Sequence, residues 1–218
     1  FSMKNIVIQG LGFVGSAMAI AVSSRINQKG NPLFNVIGVD LPSKEGSKRI
    51  NLIKSGKFPF ITNDDKLLEE LKKSINRGNL SATSDESTYS KADVILVSIN
   101  CDLINKNNKE KIDIINFTDS IQKIADNISE ETLLIIESTV PPGTCEKLVY
   151  PIFKKSFEKR RLNIDRFYLA HSYERVMPGD QYFDSIINYW RVYSGINIES
   201  ADKCESFLSK VVNYKEYP

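Results

Sequence analysis

An apolar run, Asn5 to Gln9 (NIVIQ), breaks at Gly10 and leads straight into Gly10-Leu11-Gly12-Phe13-Val14-Gly15, after which residues 13–27 carry small and apolar side chains at helical spacing. A strand that enters a helix through G-x-G-x-x-G narrows the possible folds sharply, because each glycine answers a separate demand. Gly10 permits the tight turn. Gly12 has no Cβ to hold the backbone away from a pyrophosphate, and Gly15 lets the helix pack closely on the strand. The helix start then offers free N–H groups and the positive end of its dipole to an anion.

The rest of the chain repeats the alternation. Val36 to Val39, Asp93 to Ile99, Thr132 to Glu137, Phe167 to His171 and Arg191 to Ser194 are predicted as strands. Asp64 to Arg77, Ile114 to Ile128 and Ser200 to Val212 are predicted as helices. Leu41 to Phe60, with Gly46, Gly56 and Pro59, reads mostly as loop with one helical stretch around Lys48 to Lys54. Strands apolar on both faces and separated by helices predict an α/β fold, a Rossmann-like doubly wound and mostly parallel sheet with helices on both faces. No linker divides the chain, so residues 1–218 are expected to form a single domain.

Composition excludes other classes. At 41% hydrophobic and 26% charged residues the chain is globular rather than disordered. It holds no run of about 18 apolar residues, so no membrane partner is expected. Twenty-nine basic against 27 acidic residues leave +2, too little for a nucleic-acid surface. Cys101, Cys145 and Cys204 form no CxxC, and His171 stands alone, so neither a disulfide framework nor a metal site is expected. No leader is read at the start. The expectation is a reduced, cytoplasmic protein.

Asp40 closes the second strand thirty positions after Gly10, where about 20 is usual. The Asn27–Phe34 connection accounts for the excess as a surface extension. A carboxylate there accepts from a ribose 2′-OH and repels a 2′-phosphate, which predicts NAD rather than NADP.

Two segments follow later strands and end in turns: Glu137-Ser138-Thr139-Val140-Pro141-Pro142-Gly143-Thr144 and Tyr173-Glu174-Arg175-Val176-Met177-Pro178-Gly179. In a doubly wound sheet ligands sit at the carboxyl ends of strands. Ser138 and Thr139 are therefore expected to present hydroxyls, and Glu174 a carboxylate, to the cofactor crevice.

With the glycine turn, these segments and Arg191-Val192-Tyr193-Ser194-Gly195 resemble the UDP-glucose/GDP-mannose dehydrogenase family, in its N-terminal NAD-binding domain. Ile50-Asn51 to Gly56 and Gly78-Asn79-Leu80-Ser81-Ala82-Thr83 look like further family stretches. The resemblance implies oxidation of C6 of a nucleotide-activated sugar to a carboxylate, with two NAD per sugar, through a cysteine thiohemiacetal and thioester. It places Gly10, Gly12, Phe13, Val14 and Gly15 along the pyrophosphate, Asp40 on the adenosine ribose, Arg49 near the adenosine, and Ser98 and Ser138 with the cofactor. It places Thr139 by the nicotinamide and the hydrolytic water, Glu174 as the base for that water, and the backbone at Arg175 and Val176 against the sugar. A carboxylate in that role is helped by shielding from bulk water.

The departures sharpen the reading. Pro178 stands where UDP-glucose dehydrogenases usually carry a second glutamate, which resembles the branch acting on UDP-N-acetylhexosamines such as UDP-N-acetylmannosamine or UDP-N-acetylglucosamine. Ile99-Asn100-Cys101-Asp102 replaces a motif with a cofactor-facing threonine. The family's nucleophilic cysteine, lysine and asparagine belong to a central helix and a later domain, both expected to be absent from this chain. Cys101, Cys145 and Cys204 are accordingly read as structural. The implied whole is a UDP-sugar 6-dehydrogenase and homodimer, with polysaccharide biosynthesis as its setting and the isolated chain inactive. The alternatives are a non-catalytic NAD(H)-binding module, UDP-glucose 6-dehydrogenase, and a relative of the β-hydroxyacid dehydrogenases.

Overall fold

In the computed structural model, which describes residues 3–99, 101, 103–106, 109–112, 114–174 and 179–213, the apolar runs become strands of a seven-stranded sheet. The first half contains β1 (Lys4–Gln9), α1 (Phe13–Ser23), β2 (Phe34–Val39), α2 (Lys44–Lys54), α3 (Asp65–Arg77), β3 (Leu80–Thr83) and β4 (Val94–Val97). A hairpin follows, β5 (Leu103–Lys106) with β6 (Lys109–Ile112), and then α4 (Ile115–Asn127) and β7 (Leu133–Ile136). The chain continues through α5 (Tyr150–Arg160), β8 (Tyr168–His171), α6 (Tyr182–Asn188), β9 (Ser194–Gly195) and α7 (Ile198–Val211).

The spatial order is β3-β2-β1-β4-β7-β8-β9. Every pairing in this sheet is parallel except that of β9, which runs antiparallel to β8. From β1 the chain steps outward through β2 and β3, then returns to place β4 on the other flank of β1. That reversal opens a crevice beyond the carboxyl ends of β1 and β4.

Alternation along the strands splits the core in two. Ile6, Ile8, Leu96 and Ile135 face the layer formed by α1, α3, α6 and α7, while Val7, Ile95, Val97, Leu134 and Ile136 face α4 and α5. Each strand is apolar on both sides because helices cover both. Within α1 every residue from Gly15 to Ser23 is buried, and its small side chains bring the helix close to the sheet.

Local chemistry explains where the elements differ from expectation. α2 begins at Lys44 rather than near Lys48, because the Ser43 hydroxyl caps it by accepting from the Gly46 N–H at 3.0 Å. Gly46 is no breaker here: a Cβ on it would meet the Leu41 carbonyl oxygen at 2.0 Å. The first helix stops at Ser23, short of residue 27. The predicted strand at Arg191–Ser194 shrinks to Ser194–Gly195. β3, the hairpin and α6 had no counterpart in the sequence reading. The helix leading into α5 starts with a π turn at Cys145–Val149. Pro151 has no N–H to give Lys147, and the Tyr150 N–H reaches back to the Cys145 carbonyl instead.

Candidate active site

β1 ends in a turn that the glycines alone permit. Gly10 has φ +93°, and its N–H donates to the Val39 carbonyl at 2.8 Å, tying the turn to β2. A Cβ at Gly15 would lie 1.8 Å from the Gly10 carbonyl oxygen, so α1 sits directly on the turn. Gly12 is different: a Cβ there would meet nothing within 4 Å. It is the N-cap of α1, which starts with neither a side-chain cap nor an acid in its first turn. The unsatisfied first-turn amides thus border open space, which fits a dinucleotide pyrophosphate. Phe13 contributes backbone there, since its ring packs against Phe58, Phe60 and Tyr182 at centroid distances of 5.4, 5.6 and 5.0 Å.

Asp40, just past β2, is buried. Its Oδ1 accepts from the Leu41 N–H at 2.8 Å, and its Oδ2 lies 3.3 Å from Arg49 Nη1. Arg49 on α2 also stacks over Phe60 at 5.7 Å. The structure brings the two residues together on the β2 side of the glycine turn.

On the other side, a cavity of about 230 Å³ is lined by Val14, Ser98, Ile99, Cys101, Glu137, Ser138, Thr139 and Glu174. Sheet order assembles it: Ser98 follows β4, Glu137 to Thr139 follow β7, and Glu174 follows β8. The serines serve different ends. Ser98 donates its hydroxyl to Glu137 Oε2 at 2.8 Å. The Ser138 hydroxyl donates to the Val97 carbonyl at 3.2 Å and accepts from the Ile99 N–H at 2.9 Å, so it stitches β4 to β7. Thr139 is exposed. Arg175, Val176, Pro178, Asn100 and Asp102 lie outside the described residues.

Three residues with no role in the sequence reading complete the site: Glu137, Arg191 and Tyr182. Glu137 Oε1 pairs with Arg191 Nη2, and Arg191 Nη1 lies 3.8 Å from Glu174 Oε1. The side chains of Glu137, Arg191 and Glu174 are only 1%, 4% and 4% exposed. The Tyr182 hydroxyl donates to Glu174 Oε2 at 3.5 Å. Burial, with the Glu174 and Glu137 charges adding to it, drives that hydroxyl far above the ordinary tyrosine range, so it remains a donor. Both Glu137 and Arg191 stood in recognisable segments, but 54 residues separate them and no spacing rule joins them.

His171 Nε2 lies 3.4 Å from the Ser138 carbonyl oxygen and walls a neighbouring cavity of about 390 Å³ with the Pro141-Pro142-Gly143 turn. Burial raises the Cys145 thiol to about 11 and the Cys204 thiol to about 12. Neither is a thiolate near neutrality. Among the described residues, no three His, Cys, Asp or Glu side chains are grouped to hold a metal ion, and no helix is long and apolar enough to cross a membrane.

Residues 4–211 match the UDP-glucose/GDP-mannose dehydrogenase family, NAD binding domain. A UDP-N-acetyl-D-mannosamine dehydrogenase of Methanococcus vannielii is 31% identical over 220 residues, covering 99% of this chain and 44% of that protein. Among solved structures, NDP-N-acetyl-D-galactosaminuronic acid dehydrogenase from Methanosarcina mazei Go1 is similar with a TM-score of 0.85 and 25% identity, over 97% of this chain and 42% of that one. UDP-D-ManNAc dehydrogenase from Pyrococcus horikoshii is similar with a TM-score of 0.79 and 26% identity, over 96% and 45%. The chain therefore spans less than half the length of these three relatives.

Proposed function

Since this chain belongs to the UDP-glucose/GDP-mannose dehydrogenase family, in its NAD-binding domain, we propose that it is the cofactor-binding part of an NAD-dependent nucleotide-sugar 6-dehydrogenase. The substrate in this reading is a UDP-N-acetylhexosamine, oxidised at C6 to the uronic acid with two NAD per sugar. The names of the relatives, and Pro178 in place of a second glutamate, support that choice. The reading includes a homodimer in the cytoplasm, with Cys101, Cys145 and Cys204 in structural rather than nucleophilic roles.

One observation carries the reading: Val14, in the first turn of the phosphate-binding helix, shares a cavity with Thr139 and Glu174. A module that only bound a dinucleotide would need no carboxylate there. Bound NAD supplies the acceptor for the hydride leaving C6. The chain's own residues do the rest of what this half contributes. The amides at the start of α1 hold the pyrophosphate. Asp40 accepts from the ribose 2′-OH, with Arg49 beside it on the adenosine side. Thr139 offers its hydroxyl to the water that releases the acid product. Glu174 takes the proton of that water, and its enclosure keeps bulk solvent from competing. The backbone of Arg175 and Val176 meets the sugar. Cys101 lines the cavity where family members place a threonine, a replacement that weakens or repositions that contact with the cofactor.

The test is NADH released per sugar by the intact polypeptide with UDP-N-acetylmannosamine, UDP-N-acetylglucosamine and UDP-glucose in turn. Two NADH per N-acetylhexosamine is the expected result. Saturable NAD binding without turnover of any of the three sugars refutes the enzyme reading and leaves a binding module. The isolated 218-residue chain is expected to bind NAD without forming NADH.

A further inference from the structure

Arg191 has no place in the chemistry above, yet its guanidinium is enclosed beside it. It comes from the segment between α6 and β9, and its side chain is 4% exposed. Its Nη2 donates to Glu137 Oε1, and Glu137 is itself fixed from behind by the Ser98 hydroxyl on Oε2. A structural ion pair would be complete at that point. The guanidinium instead turns its Nη1 toward Glu174, 3.8 Å from Oε1, while among the described residues Nη1 and Nε have no hydrogen-bond partner. Five donors in a rigid plane make idle buried N–H groups costly, and the price is accepted most readily where a nearby acceptor uses them in another state. Glu174 is that acceptor. Tyr182 holds its other oxygen, so the carboxylate is bracketed from two sides.

We infer that Arg191, anchored on Glu137, is a positioning residue that holds the Glu174 carboxylate at the cavity against the Tyr182 hydroxyl. Both carboxylates flank Arg191, so Glu137 and Glu174 compete for it. Weakening Glu137 hands more of the guanidinium to Glu174, and removing Arg191 takes away a positive charge while the Glu137 charge stays beside it. Among the described residues, the titratable groups around Glu174 include Arg191, Tyr182 and, lining the same cavity, Glu137 and Cys101, with Cys204 near Arg191. Tyr182 and Cys204 stay neutral through the range in which a carboxylate titrates. The catalytic meaning of this arrangement rests on the reading of Glu174 as the base.

The experiment follows the Glu174 carboxyl by ¹³C NMR through a pH titration of the chain labelled at glutamate carboxyls, with the signal assigned by its loss in Glu174→Gln. Arg191→Met is expected to raise the Glu174 midpoint by about one pH unit or more, and Arg191→Lys to restore part of the difference. Glu137→Gln is expected to move the midpoint the opposite way, downward. A merely structural role for the pair changes stability without these opposed shifts. Should Arg191→Met not fold because Glu137 is left buried and unpaired, the double variant Glu137→Gln/Arg191→Met removes both charges. There a midpoint above that of Glu137→Gln alone supports the inference. An unmoved Glu174 midpoint in the foldable variants overturns it. Turnover of Glu174→Gln in the intact polypeptide separates the two claims: unchanged turnover sinks the base reading and leaves the titration result standing.

Discussion

Replacing Gly12 with alanine is expected to leave the fold intact and destroy NAD binding, whereas alanine at Gly15 damages both. At Gly12 the backbone has φ −62° and ψ −176°, open to any residue, and a Cβ meets nothing within 4 Å. Alanine is a poorer N-cap than glycine by about 0.5–1 kcal/mol, and it stiffens the unfolded chain by a compensating 0.4–1 kcal/mol or so. The net effect on stability is within about 0.5 kcal/mol, or roughly 2 °C in Tm for a domain of this size. The added methyl occupies the space in which a pyrophosphate reaches the first-turn amides. Losing two charge-assisted hydrogen bonds at about 1.5–3 kcal/mol each weakens binding by about 3–6 kcal/mol, roughly two to four decades in Kd. At Gly15 the new Cβ sits 1.8 Å from the Gly10 carbonyl oxygen, where ordinary contact begins at 3.4 Å. The helix must back away from the turn, at a cost of about 1–3 kcal/mol or more. Calorimetric titration with NAD and thermal unfolding of both variants measure the two effects. A Gly12→Ala chain that binds NAD within threefold of the unsubstituted chain refutes the assignment of that open space to the pyrophosphate.

Asp40→Asn removes the charge that repels a 2′-phosphate and frees Arg49 to meet one, so the ratio of Kd for NADP to Kd for NAD is expected to fall at least about tenfold, read by titration with both cofactors. Asp64 caps α3 by accepting from the Leu67 N–H at 2.9 Å and also accepts from the Phe183 N–H at 2.7 Å, both buried. Asp64→Ala is expected to cost about 2–4 kcal/mol, seen as a lower urea midpoint with an unchanged m-value. The thiols of Cys145 and Cys204, raised to about 11 and about 12 from 9.0, contribute stability that is complete below pH 9 and lost as pH climbs through the folded values. Unfolding free energies measured from pH 8 to 11 are expected to fall less steeply when both are replaced by alanine, and an unchanged slope refutes the assignment.

The strand–glycine turn–helix unit was legible because all its signals are local. β1 appears as predicted because its run is β-branched, and Gly10, Gly12 and Gly15 stand within six residues of one another directly after it. The apolar strands β2, β4, β7 and β8 were legible for the same reason. β3, with Ser81 and Thr83 among its four residues, lies at the sheet edge and carries too short a pattern to stand out. β9 exists only because two residues meet the end of β8, and nothing in Arg191 to Gly195 announces where pairing stops. Gly46 misled in the other direction: it looked like a breaker but gives α2 its close approach to Leu41.

The site divides along the same line. The chain by itself determined the alternation, the glycine turn, the acid after β2 and the segments that carry Thr139 and Glu174, since periodicity and turn chemistry are written in neighbouring residues. Only the tertiary structure decided that Ser138 spends its hydroxyl joining β4 to β7, and that Arg191 reaches Glu137 across 54 residues and comes within 3.8 Å of Glu174. Those contacts depend on which strand ends lie side by side and on how deeply charge is buried between them. Coulombic pairing in a water-poor pocket is a property of distance in space, for which distance along the chain is no guide.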